Sequence, residues 1–270
     1  MELLLVEDSP TDRLLMHNRL RRAFPKAHIA IADDAHQLAD VLRGENCDVV
    51  VTDYWLGWTD GLSVLQRVKE RWPRSRVIIL TGNGGEEVVA EAFKFGLYHY
   101  LLKPDGFDNL VQVVRAAYES KQREDRNELM VAFVGSLPDA VYICDASGAV
   151  LSWNTAAEQL YGFAQESILG RTVEILLPPT IRNEVLKLHE MARGGQQISP
   201  LETLALKADG STISIALTII PIRSGADMIG IGCIAAPVTD AESGKAASHA
   251  VLDLTGRARR RSGAAAATTA

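Results

Sequence analysis

The strongest constraint on the fold is a strict alternation of short apolar runs with amphipathic segments over the first 105 residues. The runs lack polar–apolar alternation, which is typical of strands buried on both faces of a parallel sheet. They lie at 3–6, 28–31, 48–52, 76–80 and 98–102, and segments of helical periodicity lie at 10–23, 35–43, 60–72 and 86–95. This alternation predicts a doubly wound α/β domain with a five-stranded parallel sheet. In its first helix, Leu14, Leu15 and Leu20 are expected to face inward.

A further helix is expected to begin near Gly106, because apolar residues recur from Leu110 at three- and four-residue spacing. Segment 121–127 then contains no apolar residue at all. Such a segment is expected to be a solvated helical joint between domains. We therefore place the first domain at 1–120 and a helical linker at 121–136.

From residue 137 the chain changes to strand candidates joined by turn-rich segments. The turns at 145–148 and 208–210 predict hairpin connections, the second through an Asp-Gly pair. Five antiparallel strands with helices on one side predict an α+β domain over 137–240. Residues 241–270, mostly Ala, Ser, Gly, Thr and Arg, are expected to be disordered. The strand candidates lie at 140–144, 149–153, 198–207, 211–222 and 228–236.

Composition narrows the functional classes. The formal net charge of −6 gives the chain no electrostatic reason to bind nucleic acid. Cys47, Cys144 and Cys233 are too few and too scattered for a disulfide framework or a four-ligand zinc site. No apolar run approaches the roughly 20 residues that span a bilayer, and the start lacks the pattern of a secretory signal. We therefore expect a soluble, cytoplasmic protein.

Charged and hydroxyl side chains stand at the ends of the predicted parallel strands. They are Glu7 and Asp8 after the first strand, Asp53 on the third, Thr81 after the fourth and Lys103 on the fifth. Ligands of open parallel sheets bind beyond the carboxyl ends of the strands. Three carboxylates repel one another there, and Mg²⁺ relieves the repulsion. Because a hydroxyl and an ammonium group can hold phosphoryl oxygens, the pattern predicts phosphoryl transfer onto a carboxylate.

These residues carry a family resemblance. Residues 1–120 resemble a response-regulator receiver domain of bacterial two-component signalling, which has a flavodoxin-like fold. The resemblance rests on 6–10, Asp53 with Asp60-Gly61, 80–82 and 102–104, all at the spacing of the family. Two residues depart from it: Gly57 replaces a common proline, which is expected to loosen the loop, and the bulky Trp55 is expected to slow water attack on the phosphorylated site.

The resemblance also implies a role for each side chain at the strand ends. A partner kinase would supply the phosphoryl group, and Mg²⁺ would be the required cofactor. Asp53 would be the phosphoacceptor. The Mg²⁺ ligands would be Glu7, Asp8, Asp53 and the backbone carbonyl of Trp55. Thr81 would be the switch hydroxyl, Lys103 the cation that contacts the phosphoryl group, and Tyr100 the switch aromatic.

The second domain resembles a PAS domain, a sensory module of many bacterial signalling proteins. Members bind haem, flavin or small metabolites, or nothing, and serve as dimerisation units. No cysteine stands in the context of a flavin-adduct photosensor, and His189 is interpreted as a surface or satisfied histidine rather than a haem ligand. The PAS ligand therefore stays unknown, and no ligand at all stays open. The resemblance rests on 137–141, 145–148, 153–154, 161–163, 168–170 and 207–211.

Together the two resemblances imply a response regulator without a separate catalytic output domain. Its implied partner is a cognate histidine kinase or phosphotransfer protein, and a homodimer is expected, with no nucleic acid or membrane partner. Ser248-His249 resembles a kinase phosphohistidine motif only superficially, and the basic cluster 257–261 is interpreted as a solvated tail. The alternative is a PAS-based small-ligand sensor in which the receiver is mainly an interaction module.

Overall fold

The computed structural model describes residues 1–82, 86–103 and 105–238, apart from the side chains of residues 86–88, 105 and 106. The chain divides into two compact units after Met130. The interpretations of 241–270, including the His249 and basic-cluster segments, lie outside the described residues. Within those residues, no helix is both long enough and apolar enough to cross a bilayer.

The first unit is built around a five-stranded parallel sheet, which confirms the predicted doubly wound fold. The strand order is β2-β1-β3-β6-β7, so the order reverses beside β1. In chain order the elements are β1 (Glu2–Val6), α1 (Pro10–Ala23), β2 (His28–Ala32), α2 (Ala35–Leu42), β3 (Val49–Asp53), β4 (Trp55–Leu56), β5 (Thr59–Asp60), α3 (Gly61–Arg71), β6 (Arg76–Thr81), α4 (Glu86–Lys94), β7 (His99–Leu102) and α5 (Asp105–Ser136).

Side-chain caps fix where three of these helices begin. Ser9, Asp34 and Asp60 precede α1, α2 and α3, and each accepts a hydrogen bond from a backbone N–H of the first turn. These caps satisfy donors that have no partner inside a helix. Pro10 follows the first cap, where its missing N–H is harmless. The turns that lead from the strand ends into the helices are therefore set by local sequence.

Helices cover both faces of the parallel sheet, so every central strand is buried. One core contains Leu4 of β1 together with Val64 of α3. The opposite core contains Leu5 of β1 together with Met16 of α1 and Leu110 of α5. Successive strand residues thus face opposite cores, which explains why the strands are continuous apolar runs.

The sequence prediction for the buried face of α1 is partly wrong. Leu14 and Leu15 are 61% and 38% exposed, whereas Met16 and Leu20 are fully buried. Residues four apart share one helix face, so burying Met16 and Leu20 turns the two preceding leucines towards solvent.

The polar segment 121–127 is helical and mostly exposed, as the sequence predicts, but ion pairs that the sequence did not predict hold it. It continues α5, and Lys121 is buried, with its ammonium 3.1 Å from Asp48 and 2.6 Å from Asp125. Arg76 pairs with Glu124. Ion pairs within the first unit therefore hold this polar stretch of helix, which is why it needs no apolar face.

The second unit has a five-stranded antiparallel sheet of order β10-β11-β12-β8-β9, as predicted. Its core contains apolar residues from the strands and from the helices that follow β9. The elements are β8 (Ala140–Cys144), β9 (Val150–Trp153), α6 (Thr155–Tyr161), α7 (Gln165–Ile168), a 3₁₀ turn (Val173–Leu176), α8 (Arg182–Arg193), β10 (Ile198–Leu206), β11 (Thr212–Ser224) and β12 (Asp227–Pro237).

Candidate functional site

The carboxyl ends of three parallel strands bring a cation and several carboxylates together. Glu7 follows β1 with no exposed surface, and Asp53 ends β3 and is also buried. The ammonium of Lys103, after β7, lies 3.0 Å from Asp53 Oδ2 and 3.2 Å from Glu7 Oε2. It also lies 2.7 Å from Asp12 Oδ2, a residue that sequence reasoning missed. Three of the predicted residues thus form one charged cluster.

The ionisation of this cluster follows from its burial and its charges. Burial raises the pKa of Glu7 to about 7, the Lys103 ammonium opposes this rise, and the Asp53 carboxylate adds to it. Burial alone would lower the pKa of Lys103, but its hydrogen bonds to Asp12 and Asp53 raise that pKa above the ordinary value. Lys103 therefore stays protonated at neutral pH and neutralises part of the carboxylate charge.

Asp8 is held by the loop that follows Asp53. Its Oδ2 accepts a hydrogen bond from the backbone N–H of Gly57 at 2.6 Å. A Cβ atom at position 57 would lie 2.9 Å from the same oxygen. A proline at this position could not donate this hydrogen bond, because it lacks the N–H, so Gly57 anchors the loop to Asp8.

The same loop turns sharply back against the end of β3. The short strands β4 and β5 pair to form a small hairpin, and Gly61 N donates to Tyr54 O at 2.8 Å. A Cβ atom on Gly61 would lie 2.8 Å from the carbonyl oxygen of Asp53. Only glycine allows this approach. Trp55 starts the hairpin with 64% of its surface exposed.

The two predicted switch residues lie on neighbouring strands. Thr81 ends β6 and is fully buried, and its carbonyl accepts a hydrogen bond from Lys103 N at 2.8 Å. Tyr100 lies in β7 opposite Ile79 and packs against the core. Its hydroxyl is buried and has no hydrogen-bond partner among the residues that the structure describes. The backbone thus links Thr81 to Lys103, while Tyr100 lies outside the charged cluster.

The core of the second unit holds an aromatic cluster and a buried histidine. Tyr142, Trp153 and Tyr161 have ring centroids between 5.2 and 6.1 Å apart. His189 is buried, so the expectation of a surface position for it is wrong, and its Nδ1 has no hydrogen-bond partner in the described part of the chain. The Tyr161 hydroxyl is buried beside Tyr142.

The family models decide what these two units are. Residues 3–115 match the model of the response regulator receiver domain, and residues 128–238 match that of the PAS fold. The chain is a receiver domain followed by a PAS domain. Both resemblances drawn from the sequence motifs are thereby confirmed.

The following similar proteins each match one part of this chain. A putative NtrX-like response regulator of Rickettsia felis is 32% identical over 131 residues, 47% of this chain and 27% of the relative. A CheY-like receiver domain protein from Methanospirillum hungatei is 20% identical, with a TM-score of 0.42 over 46% of this chain and 97% of its own. A PAS domain from Colwellia psychrerythraea is 23% identical, with a TM-score of 0.38 over 42% of this chain and 96% of its own. The chain thus spans about a quarter of the length of the curated relative.

The carboxylates of the receiver have the chemistry that Mg²⁺ requires. Glu7, Asp8 and Asp53 offer the oxygen ligands that this ion prefers. Within residues 1–82, 86–103 and 105–238, no three acidic, histidine or cysteine side chains already stand at metal-binding positions. Both oxygens of Glu7 and of Asp53 instead accept hydrogen bonds, from Lys103 and from the backbone N–H groups of Ser9 and Tyr54. One oxygen of Asp8 accepts from Gly57 N. The donor set fits Mg²⁺, and binding would exchange some of these hydrogen bonds for the ion.

The buried histidine gives the PAS domain a testable response to acid. Burial, helped by the nearby Arg193, lowers the pKa of His189 from 6.5 to about 4. The unfolded chain therefore takes up this proton first as the pH falls. Between pH 6.5 and pH 4 we expect His189 to remove about 3 kcal/mol from the free energy of unfolding.

The measurement is urea unfolding of the PAS domain in the full chain at several pH values, for the wild type and His189→Leu. Subtracting the free energies of unfolding of the two proteins removes the titration of all other groups. This difference in free energy should change by about 3 kcal/mol between pH 6.5 and pH 4. If the free energies of unfolding of the two proteins differ by the same amount at every pH, His189 is protonated equally in the folded and unfolded chains. That result would contradict the lowered pKa of His189.

Proposed function

We propose that this chain is a two-component response regulator whose receiver domain accepts a phosphoryl group on Asp53. The observation that carries the proposal is the placement of Asp53 Oδ2 3.0 Å from the Lys103 ammonium, beside the point where the strand order reverses. The donor is the phosphohistidine of a cognate histidine kinase or phosphotransfer protein. The receiver–PAS organisation fits this class of regulator.

In the transfer, a carboxylate oxygen of Asp53 attacks phosphorus and forms a P–O bond. The P–N bond to the donor imidazole breaks, and its electron pair stays on the imidazole nitrogen, which takes up a proton from water. Lys103 holds its ammonium against Asp53 and offsets negative charge that collects on the phosphoryl oxygens. The residues that would hold Mg²⁺ are Glu7, Asp8, Asp53 and, through its backbone carbonyl, Trp55; the ion would supply further positive charge against the phosphoryl oxygens.

The switch in this proposal uses the two residues on β6 and β7. The Thr81 hydroxyl, at the end of the strand next to β3, contacts the new phosphoryl group. Tyr100 then changes its rotamer. Its hydroxyl is buried without a hydrogen-bond partner among the described residues, which is unfavourable and makes this rotamer easy to leave. The rotation alters the face of the receiver around β7, and phosphorylation is thereby read out.

The output in this proposal is a protein–protein contact, through homodimerisation of the PAS domain in the cytoplasm. The test is light scattering on the full chain before and after incubation with Mg²⁺ and acetyl phosphate, with the phosphoryl content of the same sample measured by intact mass. The mass should rise by one phosphoryl group and the association state should change. Full phosphorylation at constant molar mass would contradict the dimerisation step.

A second candidate function is small-ligand sensing by the PAS domain, with the receiver as an interaction module. The buried His189 Nδ1 favours it, since this atom has no hydrogen-bond partner within the described residues. A polar ligand would supply one. Absorbance and mass analysis of small molecules released from the denatured chain test this function. Release of a compound in stoichiometric amount would support ligand sensing. If folded protein that accepts a phosphoryl group releases no such compound, ligand sensing would be contradicted.

A further inference from the structure

Lys103 has one more carboxylate partner than phosphoryl transfer requires. Its ammonium is shared by Glu7, Asp12 and Asp53, and the distance to Asp12, 2.7 Å, is the shortest of the three. Glu7 and Asp53 lie at strand ends and are the expected Mg²⁺ ligands. Asp12 lies instead in the first turn of α1, and no role in metal binding is assigned to it.

Contacts of Ser9 hold the backbone of Asp12 in place. Its backbone N–H lies 3.5 Å from the Ser9 hydroxyl that caps α1, and Ser9 N donates to Glu7 Oε1 at 3.0 Å. The N-terminus of a helix favours a negative side chain in its first turn. The Asp12 side chain is 30% exposed, whereas those of Glu7 and Asp53 are 0% and 12% exposed. Asp12 is thus the most accessible of the three partners of Lys103.

In the proposed function, Mg²⁺ and Lys103 compete for the same carboxylate oxygens. Mg²⁺ has to reach oxygens of Glu7 and Asp53 that now accept hydrogen bonds from Lys103. A largely buried ammonium that gave up both partners would be left with an uncompensated charge, which is strongly unfavourable. Asp12 avoids this uncompensated charge, because it is not needed as a Mg²⁺ ligand and can stay paired with Lys103.

We infer that Asp12 is a positioning residue that keeps Lys103 paired while Glu7 and Asp53 exchange its hydrogen bonds for Mg²⁺. This inference rests on the proposed function, because it assumes that these carboxylates bind Mg²⁺. It assigns Asp12 no contact with the phosphoryl group. Asp12 acts through Lys103 alone, and this dependence can be tested.

The test is a double-mutant cycle on the full chain, with Mg²⁺ affinity followed by tryptophan fluorescence, to which Trp55 beside Asp53 contributes. Asp12→Asn should weaken Mg²⁺ binding about fivefold when Lys103 is present and less than about twofold in a Lys103→Met background. Asp12→Glu should restore most of the affinity, since it keeps a carboxylate within reach of Lys103. Asp40→Asn, which removes a surface charge paired with Arg43, is the matched control and should change nothing.

Equal weakening in the two backgrounds would overturn the inference, because Asp12 would then act through its charge or as a metal ligand. Urea unfolding of the same four proteins without Mg²⁺ provides a second, metal-free cycle. Asp12→Asn should lower the urea midpoint in the wild type and leave it unchanged in Lys103→Met. Equal shifts would also overturn the inference. If both cycles show coupling but the wild type gains no phosphoryl group from acetyl phosphate, only the proposed function fails.

Discussion

Lys103→Met is expected to slow phosphorylation of Asp53 by a small acyl phosphate about a hundredfold, the usual effect of removing one charge-stabilising donor from a site. The same change should tighten Mg²⁺ binding, because the ammonium that now holds Glu7 and Asp53 is gone. Rate and affinity thus move in opposite directions. The rate is measured from the gain of intact mass over time, and the affinity from tryptophan fluorescence.

The opposed directions exclude a simple loss of folding, which would lower both quantities. Lys103→Arg is the matched variant, because it keeps the positive charge but changes its geometry. It should bind Mg²⁺ no more tightly than the wild type. A Lys103→Met protein that is phosphorylated at the wild-type rate, or that binds Mg²⁺ more weakly, would contradict the roles given to this cation.

Gly61→Ala is expected to destabilise the receiver domain by about 2–3 kcal/mol, as overpacking of a tight site does. The new methyl group would lie 2.8 Å from Asp53 O and 2.9 Å from Tyr54 Cα, and backbone atoms cannot move aside as a flexible side chain can. The forced shift would move Asp53 itself. We therefore expect a lower urea midpoint for the receiver and a slower gain of phosphoryl mass.

The matched control is Gly82→Ala, the same substitution in the same domain. Apart from its two chain neighbours, no described residue has an atom within 4 Å of a Cβ atom at Gly82, so the change in stability should stay within about 0.5 kcal/mol. Similar midpoints for both alanine variants would show that the close approach at Gly61 relaxes without consequence.

The strand ends could be predicted because buried parallel strands leave an unambiguous pattern. Apolar runs fixed the sheet, and topology then places the residue after each run at one edge. Glu7, Asp53 and Lys103 accordingly lie together, as the structure shows. The Asp60-Gly61 pair of the motif also has a physical reason: Asp60 caps α3, and Gly61 admits the Asp53 carbonyl.

The errors come from contacts that involve residues distant in sequence. Lys121 belongs to a stretch without apolar residues, yet Asp48 pairs with it and allows its burial. Asp12 lies two residues beyond the motif segment 6–10, and its contact becomes visible only when Lys103 is placed beside it. Gly57 N donates to Asp8, a contact that the flexibility of glycine does not predict. Local pattern carries none of this information.

The most direct test of the account is the intact mass of the full chain after incubation with acetyl phosphate. Three samples are compared: the wild type with Mg²⁺, the wild type with the metal chelated, and Asp53→Asn with Mg²⁺. We expect a gain of one phosphoryl group in the first sample alone. An equal gain in Asp53→Asn would contradict Asp53 as the phosphoacceptor, and no gain in the folded wild type would contradict a working receiver.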